Sequence, residues 1–272
     1  MSEDGWQDVL FERDGPIARA TLNRPDKLNA ITWRMVDEII KFCQDVGRDD
    51  AVRCVVFTGN GRAFSAGDDI VGGMGDRPGA AQMVGGQPAQ LTREFGPHYH
   101  MTRTMMSMPK PAVAAINGRC HGAGWVIALS CDFRVMRSDA LIGDIRSRRS
   151  IFAGQLAPLI LPRLIGQSRA MDLLMTGRVI DAAEAERYGL VNRVWSPETY
   201  DHELHTFVEE LASGPTKNYA AWKFAVNRSV LLEAEGYAEY ERQLNMAHRG
   251  TEDSREGVAS FREKRDPNYV GR

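Results

Sequence analysis

The stretch NGRCHGAGWVIALSCD (117–132) sets Gly118, Gly122, Ala123 and Gly124 ahead of a helix-sized apolar run. His121 stands just before the run, and no acid or base follows until Asp132. A similar stretch, VVFTGNGRAFSAGDDI (55–70), carries the same NGR 57 residues earlier. Each reads as a strand, a glycine-containing turn and the start of a helix or helical turn. In both, a small residue (Ala66, Ala123) stands among glycines where a helix should begin. Free N–H groups at a helix start bind anions, and small side chains let a ligand oxygen approach them. Two such donors converging on one carbonyl oxygen make an oxyanion hole, where losing one donor typically costs about 3–4 kcal/mol of transition-state stabilisation. Close helix–strand packing would explain either stretch alone. The two together favour chemistry.

Other chemistries fit less well. GAGWVI follows the strand AVAAI, but Ile127 stands where a dinucleotide fingerprint needs its third small residue. AFSAG resembles a nucleophile elbow around Ser65, yet Ala63 replaces the first glycine and no downstream histidine has a convincing partner context. His98 and His100 sit two apart on an expected helix, so their side chains diverge, and no Cys/His/Asp cluster supports them as metal ligands. They are expected on the surface or lining a lid. No metal is expected.

The elements that must position these residues are legible. DVLFERDGPIARATLN reads as a hairpin turning at RDGP. TWRMVDEIIKFCQDVG reads as a helix capped by Thr32 and ended by Gly47, with Met35, Val36, Ile39, Ile40, Cys43 and Val46 at helical spacing. RCVVFTG and KPAVAAING are buried strands, and FRVMRSDALIG supplies further strand material. Strands and helices alternate to about residue 195, then the pattern turns helical, with Ser196-Pro197 as cap and first helical position. The chain therefore divides into an α/β core (1–197) and a helical C-terminal region (198–272). The segment 72–90, rich in Gly, Pro and Gln, reads as a long loop over the ligand or a surface excursion.

Composition is that of an ordinary globular protein, with 43% apolar and 26% charged residues. A net charge of -2 argues against nucleic-acid or membrane-surface partners. The start MSEDGWQD is not a signal peptide, and no apolar run reaches the roughly 18 residues of a membrane span. Cys43, Cys54, Cys120 and Cys131 form no CxxC pair, which points to reduced, buried thiols in a cytoplasmic protein.

Nearly the whole chain resembles the crotonase, or enoyl-CoA hydratase/isomerase, superfamily. The resemblance rests on LNRPDKLNAI (22–31), the two stretches above, LPRLIG (161–166), RVIDAAEAERYGLVNRV (178–194) and FREKRDPNY (261–269), in the family's order. It implies a spiral of ββα repeats with a helical C-terminal trimerisation region, assembled as a homotrimer or dimer of trimers. It implies a coenzyme A thioester as substrate and no permanently bound cofactor. It places the oxyanion-hole N–H groups at Ala66 and Ala123. Ala63, Ala66, Gly67, Asp68 and Asp69 would lie against CoA, and Lys264 would approach its phosphates, from its own or a neighbouring subunit.

The departures from the family pattern bear on the reaction. The hydratases carry one glutamate three residues after the second oxyanion-hole position and another after the following strand; here those places hold Val126 and Arg146. Arg146 is a poor base but a good partner for a carboxylate or enolate. Asp144, two residues earlier, would share its face on extended chain and could pair with it. Arg148 and Arg149 extend the cluster as an anion pocket, an inter-subunit patch or a solvated loop. Arg146 is a candidate catalytic residue as that carboxylate or enolate partner, and His121, Asp144 and, more remotely, His98 and His100 are the candidates for proton transfer. Three classes follow: an enolate-forming isomerase, decarboxylase or C–C hydrolase; a hydratase with atypical acid/base groups; and a non-catalytic acyl-CoA binder. The first is preferred.

Overall fold

The structure is a computed structural model, and it describes residues 8–70, 97–149, 151, 154–229 and 233–272. The expected loop at 72–90 lies outside the described residues. The hairpin forms from β1 (Val9–Asp14) and β2 (Ile17–Leu22), paired antiparallel. Helix α1 (Trp33–Arg48) is capped by Thr32, whose side chain accepts the Met35 N–H at 3.1 Å. It runs through Gly47 and ends at Arg48, one residue beyond the glycine expected to stop it.

From there the chain winds as a spiral. Strands β3 (Cys54–Gly59), β5 (Ala112–Ile116) and β7 (Phe133–Arg137) enter a six-stranded sheet ordered β1-β2-β3-β5-β7-β10, where β10 is Arg193–Trp195. Strands β4 (Ala63–Ser65), β6 (Arg119–His121) and β8 (Leu141–Gly143) enter a second sheet, closed by β9 (Val179–Asp181) in the order β4-β6-β8-β9. Each turn thus gives one strand to each sheet and then a helix: α2 (Pro97–Ser107), α3 (Ala123–Ser130) and α4 (Ala157–Ile165). Helix α5 (Gln167–Thr176) follows α4, and α6 (Ala182–Tyr188) joins β9 to β10. Pairing from β2 through β10 in the large sheet is parallel, as ββα turns of one hand require.

All eight residues of α3 are buried, so this helix is the axis of the core rather than an amphipathic surface element. Met35, Ile39, Phe42 and Val46 of α1 share its cluster with Trp125, Val126 and Ile127 of α3. The tail is helical throughout, as α7 (Tyr200–Ser213), α8 (Thr216–Arg228), α9 (Ala234–Arg249) and α10 (Glu252–Glu263). It begins at Tyr200 instead of Pro197: the Ser196 carbonyl accepts both Thr199 and Tyr200 N–H, making a turn before the helix.

The tail is not detached from the core. Tyr200, Leu204, Val208 and Leu211 of α7 cover Ile17, Val56, Val113 and Val135 on the other face of the large sheet. Helix α8 sends Lys223 into the body, where Nζ donates to Asp132 Oδ2 (2.9 Å) and the Lys110 carbonyl (3.1 Å). The four cysteines are buried and unpaired; burial pushes the Cys43 and Cys54 thiols up to about 12, which makes them inert apolar fillers. No helix among the described residues is long and apolar enough to cross a membrane.

Candidate active site

The two glycine-bearing stretches meet where β4 and β6 run parallel. Ala63 pairs with Arg119 and Ser65 with Cys120, so Phe64 is an extra residue taken up as a bulge. Carrying that register forward sets Gly67 beside Gly122 and Asp68 beside Ala123. The backbones touch there: a Cβ on Gly122 would lie 3.1 Å from Gly67 Cα, and one on Gly67 would lie 3.3 Å from Gly122 Cα. Gly122 also has φ 54 and ψ -123, a conformation open only to glycine, and it delivers the chain into α3.

This register corrects the expected oxyanion hole. The Ala66 N–H donates to the Leu28 carbonyl at 2.9 Å and is not available to a ligand. The Gly67 N–H donates to Ser65 Oγ at 3.2 Å. The N–H groups of Asp68 and Ala123 have no acceptor among the described residues. They flank the crossover: Asp68 N lies 3.9 Å from where a Gly122 Cβ would sit, and Ala123 N lies 3.6 Å from where a Gly67 Cβ would sit. Asp68 and Ala123, rather than Ala66 and Ala123, are therefore the candidate donor pair. No helix starts at Ala66 either; Gly67 to Asp69 instead bridge to Ile31, whose N–H donates to the Gly67 carbonyl at 2.8 Å.

Neighbouring side chains hold this crossover. Asn117 Nδ2 donates to the Gly59 and Gly61 carbonyls (2.8 and 2.9 Å), stitching one stretch to the other. Asn29, fully buried, donates to the Asn60 and Ala63 carbonyls. Ser65 is fully buried with Oγ donating to the Asn29 carbonyl at 2.8 Å, so it is a brace and not a nucleophile. Ala63, expected against CoA, is 1% exposed and presents no surface to a ligand. Asp69 pairs with Arg24 at 2.8 Å. Lys264 is the C-cap of α10 and is exposed.

Val126 is fully buried on α3 and can move no proton. Asp144 and Arg146 form the expected ion pair, by a different route. Arg146 opens a 3-10 turn (Arg146–Arg149) and wraps back: Nε lies 2.9 and 3.0 Å from the two carboxylate oxygens, and Nη2 2.6 Å from Oδ2. Asp144 is 1% and Arg146 6% exposed. This engagement corrects the reading of Arg146 as a partner for substrate anions, because two of its three nitrogens are committed. The third, Nη1, points to Asp68 Oδ2 at 4.0 Å. Arg148 and Arg149 are exposed, and Arg148 Nε donates to the Thr176 carbonyl.

The histidines separate. His121 pairs with Gly143 across β6 and β8, and burial, helped by Arg119, holds its imidazole below the ordinary histidine range. Its carbonyl, rather than its ring, is what approaches the crossover. His100 is exposed. His98, by contrast, is buried with Nε2 3.0 Å from Asp68 Oδ1 and its ring edge against Trp33. Neither atom has a directed hydrogen bond. The sequence offers His98 only as one of two diverging histidines; the signal that singles it out is contact with Asp68, 30 residues away along the chain. No group of three metal-binding side chains occurs among the described residues. A separate cavity of about 650 Å³ lies at the far end of α3, lined by Leu129, Ile160, Phe207 and Trp222, away from the free N–H pair.

Comparison with known proteins agrees with this architecture. The family model for enoyl-CoA hydratase/isomerase matches residues 12–272. A protein of Rhizobium meliloti strain 1021 named probable enoyl-CoA hydratase is 34% identical, covering 98% of this chain and 99% of its own. The 1,2-epoxyphenylacetyl-CoA isomerase of Escherichia coli K12 is 31% identical over 97% of this chain and 98% of its own. The crystal structure of an enoyl-CoA hydratase subunit I from Geobacillus kaustophilus HTA426 superposes with a TM-score of 0.85 at 33% identity, covering 98% of this chain and 99% of that one. With the ββα spiral, the crossed glycine backbones and these matches in agreement, the chain belongs to the enoyl-CoA hydratase/isomerase family, the crotonase superfamily.

Proposed function

We propose that the protein converts a CoA thioester through an enolate whose oxygen is held by the N–H groups of Asp68 and Ala123. The observation that carries this reading is the pair of unpartnered N–H groups at the Gly67–Gly122 crossover. Hydration also needs groups to activate water and deliver a proton, each worth about 10²–10⁴-fold. Val126 offers neither, and Arg146 is neutralised by Asp144. Enolate chemistry that shuttles one proton fits the site better, with isomerisation ahead of decarboxylation or C–C hydrolysis, since the guanidinium beside the crossover, Arg146, is already engaged by Asp144. The relatives' names cover both hydratase and isomerase, so they support a CoA thioester substrate without choosing the reaction.

The test compares two rates: deuterium uptake at the α-carbon of butyryl-CoA in D2O, and hydration of crotonyl-CoA. Exchange with little hydration is expected. Rapid hydration would make the protein a hydratase with atypical groups, and binding of both thioesters without either reaction would make it an acyl-CoA binder. We further propose a homotrimer or dimer of trimers that buries Trp222, Met246 and Phe261, which are 64%, 62% and 85% exposed on α8, α9 and α10. Lys264 would then act on a neighbour's CoA. Light scattering that gave a monomer would refute the assembly.

A further inference from the structure

Asp68 brings two functions to one place. Its N–H is one of the free donors, and its carboxylate lies between His98 Nε2 (3.0 Å) and Arg146 Nη1 (4.0 Å). A carboxylate beside an oxyanion hole opposes the charge the hole must hold. Arg146 offsets part of that charge but is shared with Asp144. Two carboxylates and one guanidinium leave one net negative charge, and the His98 imidazole adjoins it.

A second observation singles out the same pair. Asp68 Oδ1 and His98 Nε2 are both fully buried, yet their contact is not aligned as a hydrogen bond and neither atom has another partner among the described residues. Native interiors seldom leave such atoms unsatisfied without a functional reason. Trp33 meets the His98 ring edge-on, with centroids 5.1 Å apart, and fixes its plane.

We propose that His98, oriented by Asp68, carries the substrate's α-proton; this rests on the enolate reading above. The imidazole nitrogen that does not face Asp68, Nδ1, takes the proton from the thioester α-carbon. The C–H electron pair becomes the Cα=C bond, and the carbonyl π pair moves onto the oxygen bound by the Asp68 and Ala123 N–H groups. The imidazolium then returns the proton to the α-carbon or, in an unsaturated acyl group, to the γ-carbon, so no other reactant is consumed. Imidazolium forms beside Asp68 as the enolate forms in the hole, and the two new charges offset each other. Asp68 is a positioning residue as well as a donor, and Asp144 holds Arg146 in place as the counter-charge.

The experiment measures deuterium uptake by butyryl-CoA and, separately, its Kd. His98→Ala is expected to lose about 100-fold or more in exchange with Kd unchanged, and added imidazole should restore part of the rate. Asp68→Asn keeps the N–H; it should also slow exchange, and the double variant should be no slower than His98→Ala alone, because both act on one step. Wild-type exchange by His98→Ala, or a loss that imidazole does not rescue and that weakens binding equally, overturns the proposal. Ala123→Pro separates the two levels: it removes a donor at a first helical position where proline is tolerated. Loss in Ala123→Pro with normal exchange in His98→Ala rejects His98 while keeping the enolate reading. A wild-type protein that binds butyryl-CoA and exchanges nothing rejects both.

Discussion

Replacing Gly122 with alanine tests whether the glycine crossover is functional or only a tight fit. Gly122 has φ +54, and an alanine Cβ would sit 3.1 Å from Gly67 Cα, close enough that one backbone must yield by a few tenths of an ångström. Gly15 provides the internal control: its φ is +53, at the first position of the two-residue β1–β2 turn, and nothing lies within 4 Å of where its Cβ would sit. Both substitutions carry a similar backbone penalty of roughly 1–3 kcal/mol. Gly122→Ala adds the contact with Gly67, for a total of about 2–4 kcal/mol. At about 2–4 °C per kcal/mol for a chain of this size, that lowers Tm by roughly 4–16 °C, against about 2–12 °C for Gly15→Ala. The decisive readout is activity. Pushing Gly67 off Gly122 parts the Asp68 and Ala123 N–H groups, and losing one converging donor costs about 10²–10³-fold in rate. Calorimetry and butyryl-CoA deuterium uptake on both variants read the two effects separately. A folded Gly122→Ala protein with wild-type exchange would show that the crossover serves packing alone. A Gly15→Ala protein that lost exchange would show that the assay reports stability.

Three further outcomes follow from buried charge. Lys223→Met strands Asp132 against the Ala112 N–H and unpins α8; a loss of about 3 kcal/mol, or roughly 6–12 °C in Tm, is expected by calorimetry. His121 is held below its unfolded pKa of about 6.5, so the unfolded chain binds the extra proton; its share of stability is complete above that value and fades as pH falls below it. His121→Gln should therefore flatten the urea-unfolding profile below about pH 6.5, and an unchanged slope would place the acid sensitivity elsewhere. Val126→Glu with Arg146→Glu should raise crotonyl-CoA hydration, but the second change puts a carboxylate beside Asp144, which is 1% exposed. Adding Asp144→Gln should recover the yield of folded protein, and failure to raise hydration in that triple variant would refute the idea that the missing acids set the reaction.

Much of the fold is legible in the sequence because burial periodicity and turn residues act locally. The hairpin, the Thr32 cap, the buried strands and the wholly buried α3 each follow from a few adjacent residues. The donor pair is easily misread for a reason just as local. Matching NGR (60–62) with NGR (117–119) pairs Ala66 with Ala123, but the strands pair by backbone register, and the bulge at Phe64 moves the partner toward Asp68. Residue size points to Ala66; the Leu28 carbonyl takes its N–H. The Asp144–Arg146 pair follows from spacing, although a 3-10 turn, and not an extended chain, produces it. His98 stays inconspicuous because nothing near it in sequence names Asp68 as its neighbour. The proposed assembly and the role of Lys264 in it concern exposed surface, where local sequence pattern names no partner.

The Asn117 stitch also bears on how the protein ages. Both Asn117 and Asn60 precede glycine, the sequence in which an asparagine side chain is most readily attacked by the following backbone nitrogen and loses ammonia. Asn60 is exposed and its amide makes one exposed bond, to Asn23 Oδ1, whereas Asn117 is half-buried with its amide committed to both the Gly59 and Gly61 carbonyls. Holding that amide keeps it from the cyclic geometry the reaction needs, so storage damage should begin at Asn60. If it reached Asn117, two N–H donors would become a carboxylate facing two carbonyls, and the lifetime of the donor pair would then be set by one slow covalent change rather than by unfolding.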